Sequence, residues 1–192
     1  LLAELFHDGD VLRDTVLGDP RRAEVDVRSF VSDEGIAAAL DGARRVPSGG
    51  RAAAPWTPRP GGDTIGIAVI GEDGTAVSLI QSIFHAFGSR LLEPTTGILL
   101  HNRGSFFSTD PASPNVVAPG KRPAHTLVPV IAEFDDGTVA VHSTMGGKAQ
   151  SQIQTQLMLR ALEGLGAQEI VSAPRVVVGG LDVGDDEDHM LV

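Results

Sequence analysis

The chain has 192 residues, of which 42% are hydrophobic and 21% are charged, which is the composition of a folded domain rather than of a disordered segment. Acidic residues outnumber basic ones 25 to 15, and the formal net charge of -10 disfavours nucleic acid and anionic membranes as partners. The sequence has no cysteine, which excludes disulfides, a thiol nucleophile and thiolate metal sites.

The first third of the chain predicts a helix followed by an irregular linker. Apolar residues recur at helical spacing from Val31 to Arg45, and Ser32 is a candidate N-cap followed by two acidic residues. The next stretch, Val46 to Asp63, holds four prolines among small residues. Because proline donates no backbone hydrogen bond and small residues bury little area, we expect an exposed linker that is accessible to cleavage.

Two β-hairpins follow in the sequence. Each consists of two apolar or β-branched segments around an Asp-Gly turn, a pattern that is typical of hairpins. The paired segments are 64–70 with 76–80, and 127–134 with 138–143.

The rest of the chain predicts a short strand, a loop and a long helix. The strand is expected over 97–100, and four prolines predict a loop over 108–123. Residues 149–165 carry apolar side chains at helical spacing, and Gly164 and Gly166 mark the end of this helix. Because the strands precede the long helix instead of alternating with helices, the fold class predicted is α+β.

Common catalytic and metal-binding motifs are missing from the sequence. It has no Gly-x-Ser-x-Gly elbow, no His-Glu-x-x-His pair, no phosphate loop and no Gly-x-Gly-x-x-Gly turn. The acidic tail over 182–188 lacks the alternating Asp-x-Asp-x-Asp-Gly frame of a calcium loop, so we expect a solvated end. No metal site and no cofactor are predicted.

Thr64 has a special position at the junction between the linker and the first strong strand. If the bond between Asp63 and Thr64 is cut, Thr64 carries both a hydroxyl nucleophile and an α-amino group. The pKa of such an amine, roughly 7.7 to 8.0, suits a general base near neutral pH. Spacing alone favours a plainer interpretation, in which Thr64 is a β-branched residue that starts a strand.

Seven short segments occur in a characteristic order, with most of their separations matching a known pattern. They are Thr64–Val69, Gly74–Ser78, Phe87–Ser89, Thr96–Arg103, Pro114–Asn115, Pro119–Pro123 and Gly146–Gly147. Together they resemble the small subunit of the gamma-glutamyltransferase family, and the resemblance extends from about Asp19 to Gly180. It implies an N-terminal nucleophile hydrolase with a four-layer αββα sandwich.

The resemblance implies a precursor that cleaves itself before a threonine, at the position of Thr64. The hydroxyl of this residue would attack the carbonyl of Asp63, and water would open the resulting ester. Residues 1–63 would then be the end of a large-subunit-like segment with its linker, and residues 64–192 the small-subunit-like catalytic segment.

Three further positions match the catalytic residues of the family. Ser82 stands where the family has a threonine whose hydroxyl orients the nucleophile. Gly146 and Gly147 match the pair whose backbone N–H groups stabilise the oxyanion, where the lack of a side chain allows close approach. The plainer alternative for these glycines is a turn before the long helix.

The substrate-binding positions depart from the pattern of the well-studied transferases. Phe106 replaces an acid that holds the substrate ammonium, Arg103 replaces a Gln, and Phe84 replaces an Asn or Glu. These changes remove an attraction for an amine and add one for a carboxylate. Asn-Arg-Gly and His-Thr features are shared with cephalosporin-acylase-like and amidohydrolase-like members of the family. The substrate-binding residues predicted are Phe84, Asn102, Arg103, His125 and Thr126.

The sequence therefore predicts a gamma-glutamyltransferase-like amide hydrolase or acyl transferase. One alternative is an acylase or amidohydrolase that is not specific for gamma-glutamyl groups. Another is a non-catalytic or unprocessed homologue that acts as a binding or assembly module. The predicted partners are a small amide or gamma-glutamyl substrate, preferably bearing a carboxylate, and the upstream large-subunit segment of the same precursor; a homo-oligomer is left open.

The remaining expectations concern secondary features. We expect His85, His101 and His125 to be satisfied polar side chains. Lys121 and Arg122 are expected to brace either the loop that carries them or a subunit contact, rather than to bind ligand. No stretch approaches the roughly 18 to 20 apolar residues of a membrane-spanning helix, and no basic segment typical of a secretory signal begins the chain. A cytoplasmic location is the working prediction.

Overall fold

The computed structural model describes residues 1–46, 53–54, 62–180 and 190–191. The chain forms two compact units. The first comprises Leu1–Trp56, Gly104–His125 and Val176–Val192, and the second comprises Thr57–Arg103 and Thr126–Arg175. The predicted division between residues 63 and 64 concerns the covalent processing of the chain and stays a prediction.

Three helices begin the first unit: α1 (Leu2–Val16), α2 (Val27–Phe30) and α3 (Asp33–Arg45). The hydroxyl of Ser32 accepts a hydrogen bond from the Gly35 amide at 3.1 Å, which confirms the predicted cap of α3. The sequence analysis did not predict α1, whose middle holds Gly9 between acidic residues. This helix packs against α3, and that contact is non-local.

A small sheet in the first unit joins distant parts of the chain. Its strands are β1 (Ala53–Ala54), β8 (Val177–Val178) and β9 (Met190–Leu191), with β9 in the middle, parallel to β1 and antiparallel to β8. The expectation of an irregular linker is wrong at β1, because its pairing partner lies more than a hundred residues further along the chain. Most of the linker lies outside the described residues.

The predicted loop over 108–123 is confirmed, and it is braced from within the first unit. The Lys121 ammonium donates to the Pro114 carbonyl at 2.6 Å, and the Arg122 amide donates to the Asp19 carboxylate at 2.9 Å. Asp19 is also bonded to the Arg21 guanidinium, and these bonds hold the pKa of the Asp19 carboxyl well below its usual range. Lys121 and Arg122 thus brace the loop, as predicted.

The second unit is built around a long antiparallel ribbon of β2 (Gly62–Ile70) and β3 (Ala76–His85). This ribbon confirms the first predicted hairpin, and Gly74, with a φ of 83°, supplies the left-handed turn conformation. Strand β3 continues five residues beyond the predicted end. The additional residues pair with the start of β2. Cross-strand pairing, rather than local strand propensity, therefore extends β3 to His85.

Two shorter hairpins complete the strands of the second unit. Strands β4 (Leu92–Glu93) and β5 (Ile98–Leu99) form one pair, which confirms the short strand predicted over 97–100. Strands β6 (Val130–Glu133) and β7 (Val139–His142) form the other, which confirms the second predicted hairpin.

The long helix is confirmed as α4 (Gln150–Leu162), followed by a short α5 (Ala167–Ser172). Four glutamines of α4 are buried: Gln150, Gln152, Gln154 and Gln156. Gln150 Oε1 accepts from the Val128 amide at 3.0 Å, and Gln154 Nε2 donates to the Val128 carbonyl at 2.8 Å. Because glutamine side chains satisfy the backbone of Val128, β6 starts at Val130 rather than at the predicted residue 127.

Candidate functional site

Thr64 and Ser82 lie opposite each other on the β2–β3 ribbon. They are register partners, and Thr64 Oγ1 lies 2.8 Å from Ser82 Oγ. Both atoms belong to hydroxyl groups, so either can donate the hydrogen bond. Thr64 is half-buried, so its hydroxyl is positioned by the fold without being sealed from solvent.

A β-bulge lies next to this pair. Gly62 pairs with His85 and Thr64 pairs with Ser82, so the spacing on β3 is one residue longer than on β2. Phe84 accommodates the extra residue with a φ of 78°, a left-handed conformation that non-glycine residues rarely adopt. Its amide donates to Ser82 Oγ at 3.0 Å. The bulge therefore holds the Ser82 hydroxyl and turns the Phe84 side chain inward, where it is 8% exposed.

Arg103 packs on the other side of Phe84. Its guanidinium carbon lies 4.0 Å from the centroid of the Phe84 ring, and Nη1 donates to Thr126 Oγ1 at 2.8 Å. Arg103 is buried, and burial lowers its pKa, although a guanidinium stays protonated at neutral pH. The fold thus brings together three of the predicted substrate-binding residues: Phe84, Arg103 and Thr126.

Asn102 braces the end of β3. Its Oδ1 accepts from the His85 amide at 3.0 Å, and its Nδ2 lies 2.9 Å from His85 Nδ1. The His85 ring stacks on Phe84, and His101 Nδ1 accepts from the Arg103 amide. These two histidines are therefore satisfied polar side chains, as predicted, while contact of Asn102 with a substrate stays a prediction.

Gly146 and Gly147 follow β7 and have φ values of 137° and 54°. Side chains rarely tolerate such values, so the conformation of this turn requires glycine. The Gly146 carbonyl accepts from the Ala149 amide at 3.0 Å, and a 3-10 turn over Gly147–Ala149 leads into α4. The turn itself is the plainer interpretation of these glycines; stabilisation of an oxyanion by their N–H groups stays a prediction.

The segment leading to these glycines crosses the ribbon close to Thr64. A Cβ on Gly66 would lie 2.5 Å from Ser143 Oγ, so Ser143 rests directly on the Gly66 backbone. Because strand residues two apart share a face, Gly66 lies on the same face as Thr64. The sequence analysis did not single out Gly66, although a glycine inside a strand is a signal of close backbone approach.

A cavity of about 440 Å³ opens beside the hydroxyl pair. This volume lies within the range of about 300–1,000 Å³ that is common for small-molecule sites. The residues that line it are Gly62, Thr64, Ile65, Gln81, Ser82 and Ile83.

The remaining predicted positions belong to the first unit or lie outside the described residues. Phe106 and His125 belong to the first unit, where Phe106 offers its carbonyl to Asn115 and His125 is exposed. The side chain of Asp63 and the acidic tail lie outside the described residues. Among the residues described, no three His, Asp or Glu side chains are grouped to hold a metal ion.

Comparison with known sequences shows the family. The sequence model of Gamma-glutamyltranspeptidase matches residues 1–184. The Oxamate amidohydrolase proenzyme of Klebsiella pneumoniae is 42% identical over 170 residues, covering 88% of this chain and 31% of that protein. The Glutathione hydrolase-like YwrD proenzyme of Bacillus subtilis is 40% identical over 181 residues, covering 93% and 33%. The chain therefore belongs to the gamma-glutamyltranspeptidase family and spans about a third of the length of these relatives.

Solved structures agree with this assignment. A cephalosporin acylase from Bacillus halodurans superposes with a TM-score of 0.73 at 32% identity, covering 91% of this chain and 30% of that one. A gamma-glutamyltranspeptidase from Pseudomonas nitroreducens superposes with a TM-score of 0.54 at 27% identity, covering 58% and 64%. The predicted family and the α+β class are confirmed.

The helices of the described residues are all too short or too polar to cross a bilayer. The predicted cytoplasmic location stays a prediction.

Proposed function

We propose that this chain forms the catalytic part of an amide hydrolase or acyl transferase whose nucleophile is Thr64. The observation that carries the proposal is the 2.8 Å contact between the Thr64 and Ser82 hydroxyls at the start of the ribbon. Support comes from relatives that are proenzymes and are named for amidohydrolase and glutathione hydrolase activity. Nucleophile and orienting hydroxyl would then meet where β2 joins the linker.

The first reaction is cleavage of the precursor. Thr64 Oγ1 attacks the carbonyl carbon of Asp63, the C–N bond to Thr64 breaks, and the hydroxyl proton passes to the released amine. Water then hydrolyses the ester, which leaves a carboxylate on Asp63 and frees the Thr64 hydroxyl and α-amine. One residue afterwards supplies both the nucleophile and the general base.

The second reaction follows the same chemistry on a substrate. The α-amine takes the proton as Thr64 Oγ1 attacks the amide carbon, and the negative charge develops on the carbonyl oxygen. The Gly146 and Gly147 N–H groups would stabilise this oxyanion. The amine leaves with the proton, and water or an acceptor amine then attacks the acyl ester and releases the acyl group.

The proposal includes the architecture around the site. Residues 64–192 would be the small-subunit segment, and residues 1–63 the end of a large-subunit segment with an upstream portion as partner. Their strands and helices would combine into a four-layer αββα sandwich. The proenzyme relatives, of which the chain covers about a third, support this arrangement.

The experiment that tests the proposal is intact-mass measurement of the full-length gene product. We expect two fragments, one of which begins at Thr64, and T64S should still yield them because serine keeps the hydroxyl. T64A should remain a single species without amidase activity, whereas the matched control T95A, at an exposed turn, should cleave normally. Cleavage of T64A would contradict the proposal, and a wild-type mass that stays intact would favour the non-catalytic alternative.

A second candidate is an acylase or amidohydrolase without preference for gamma-glutamyl groups. The observation that favours it is the buried guanidinium beside Phe84, at positions where the resemblance led us to expect a Gln and an Asn or Glu. Hydrolysis of gamma-glutamyl-p-nitroanilide and glutaryl-p-nitroanilide separates the two candidates, since only the first compound carries an α-ammonium group. Preference for the gamma-glutamyl compound would support the transferase.

A further inference from the structure

We infer that Arg103 binds the carboxylate of the acyl donor, and that the preferred donors are amides that carry a carboxylate but no ammonium group beside it. This inference rests on the proposed function, because it names the substrate class of the Thr64 site. It assigns specificity to a residue of this chain that stands where the resemblance led us to expect a neutral glutamine.

The charge state of Arg103 is the first part of the argument. The residue is 7% exposed, and none of the described Asp or Glu side chains forms an ion pair with it. Burying a cation without an anion is costly, and known folds usually pair such groups. A ligand carboxylate would supply the missing charge.

Arg103 has N–H groups that are not bonded to Thr126 and are available to a ligand. A guanidinium has five N–H donors, and Nη1 makes the side-chain hydrogen bond to Thr126. In the described part of the chain, the Arg103 nitrogens are not among the side-chain atoms that are sealed from solvent and lack a partner. The oxygens of a ligand carboxylate would bind to the N–H groups that Thr126 leaves free.

The orientation of the guanidinium is fixed before any ligand arrives. The Phe84 ring lies 4.0 Å below it, and Thr126 Oγ1 holds Nη1 at 2.8 Å. A planar donor fork that is held in place loses little entropy when it forms the two parallel bonds that a carboxylate accepts. Lysine, with a single charged nitrogen, could not reproduce this geometry.

Phe84 connects the guanidinium to the reacting hydroxyl. The Arg103 guanidinium stacks on its ring. Its amide donates to Ser82 Oγ, and Ser82 Oγ forms a hydrogen bond with Thr64 Oγ1. Its left-handed φ of 78° allows both contacts from one residue. Local strain of this kind is concentrated at functional sites, and here it sets the position of the charge relative to the nucleophile.

No acidic side chain among the described residues forms an ion pair with Arg103. The side chains that hold its guanidinium, Phe84 and Thr126, carry no negative charge. An α-ammonium next to the bound carboxylate would meet the positive guanidinium without a compensating acid. Donors that lack this group avoid the repulsion.

The test measures kcat/KM of the processed full-length protein for three anilides. Glutaryl-p-nitroanilide carries the carboxylate alone, gamma-glutamyl-p-nitroanilide carries carboxylate and ammonium, and butyryl-p-nitroanilide carries neither. We expect wild type to prefer the glutaryl compound. R103Q should lower kcat/KM for it by roughly ten- to hundredfold, mainly through KM, and leave the butyryl compound nearly unchanged. R103K should recover only part of the loss, and the matched control R45Q, on an exposed helix end, should behave as wild type.

Calorimetric binding of glutarate gives a second readout that needs no turnover. Wild type should bind glutarate, and R103Q should bind it at least tenfold more weakly. Equal loss of activity on all three anilides, or unchanged glutarate binding in R103Q, would overturn the inference. Failure of the proposed function looks different: T64A would keep amidase activity, while the glutarate affinity would still depend on Arg103.

Discussion

The hydroxyl of Ser82 occupies a position between two groups with different tasks. It forms a hydrogen bond with the Thr64 hydroxyl on one side and accepts a hydrogen bond from the Phe84 amide on the other. A hydroxyl held by a backbone amide cannot rotate freely, so it presents a defined direction to Thr64 Oγ1. This is the property required of a group that positions a nucleophile.

Removal of this hydroxyl gives a direct prediction. In S82A, Thr64 Oγ1 loses one neutral hydrogen bond, worth about 0.5–1.5 kcal/mol, so precursor cleavage and kcat should each fall by up to about tenfold. S82T should retain both rates, because threonine keeps the oxygen and adds only a methyl group. The rates are measured by gel densitometry of the precursor and by anilide hydrolysis.

The matched control for this pair of variants is S151A, on the exposed face of α4. It should cleave and turn over as wild type does. If S82A did so as well, the contact with Thr64 would have no part in positioning the nucleophile.

Strands β2 and β7 meet where Ser143 rests on Gly66. The Ser143 atom nearest to a Cβ at residue 66 would be the side-chain Oγ at 2.5 Å, and the backbone carbonyl carbon of Ser143 would lie 3.0 Å away. Backbone atoms cannot swing away as a flexible side chain can. The packing of these two strands therefore depends on the absence of a side chain at one residue, and it fixes where the segment toward Gly146 begins.

The variant G66A tests this dependence. Its methyl group should push β7 away from β2, lower the free energy of unfolding by about 1–3 kcal/mol, and displace the turn at Gly146 and Gly147. Urea unfolding measures the stability, and kcat should fall more than the stability loss alone explains. The second variant, S143G, should restore part of the stability of G66A by removing the side chain that the methyl group meets.

The variant G9A, in the middle of α1, controls for the general effect of replacing a glycine by alanine. A Cβ there meets no atom within 4 Å, so this variant should be neutral or slightly stabilising. Equal stability of G66A and wild type would show that β7 adjusts without cost and does not position the glycine turn.

One face of the β2–β3 ribbon is apolar and exposed. Its large side chains are 43–57% exposed, although they alternate regularly with the residues of the opposite face. Such alternation normally marks a face that is buried. Contiguous apolar surface of this kind favours association. The side chains are Ile65, Ile67, Val69, Val77 and Leu79.

The 192-residue chain by itself should therefore bind a hydrophobic dye and self-associate. Replacing the cross-strand pair Ile67 and Leu79 by Lys and Glu puts opposite charges face to face, which keeps the pairing while removing apolar area. This double variant should reduce dye fluorescence and shift the species measured by light scattering toward the monomer. The matched change of Val27 to Lys and Val31 to Glu, at exposed positions outside the ribbon, should leave both readouts unchanged; an equal effect would contradict the prediction.

The amino-acid sequence by itself determined the elements whose signals are local. The Ser32 cap, the two Asp-Gly hairpins and the long helix each depend on residues within a few positions of one another, so their patterns were sufficient. The order of short segments was sufficient for the family. Thr64 and Ser82 were recognised in the same way, as members of a known pattern.

The tertiary structure decided everything that depends on partners far apart in the chain. Strand β1 exists because β9 pairs with it, and β6 starts at Val130 because glutamines of α4 satisfy the residues before it. The bulge at Phe84 and the stacking of Arg103 require a strand register that no local pattern specifies. A resemblance can thus name Arg103 as a changed residue, but only the packed side chains show that it is buried against the Phe84 ring and bonded to Thr126.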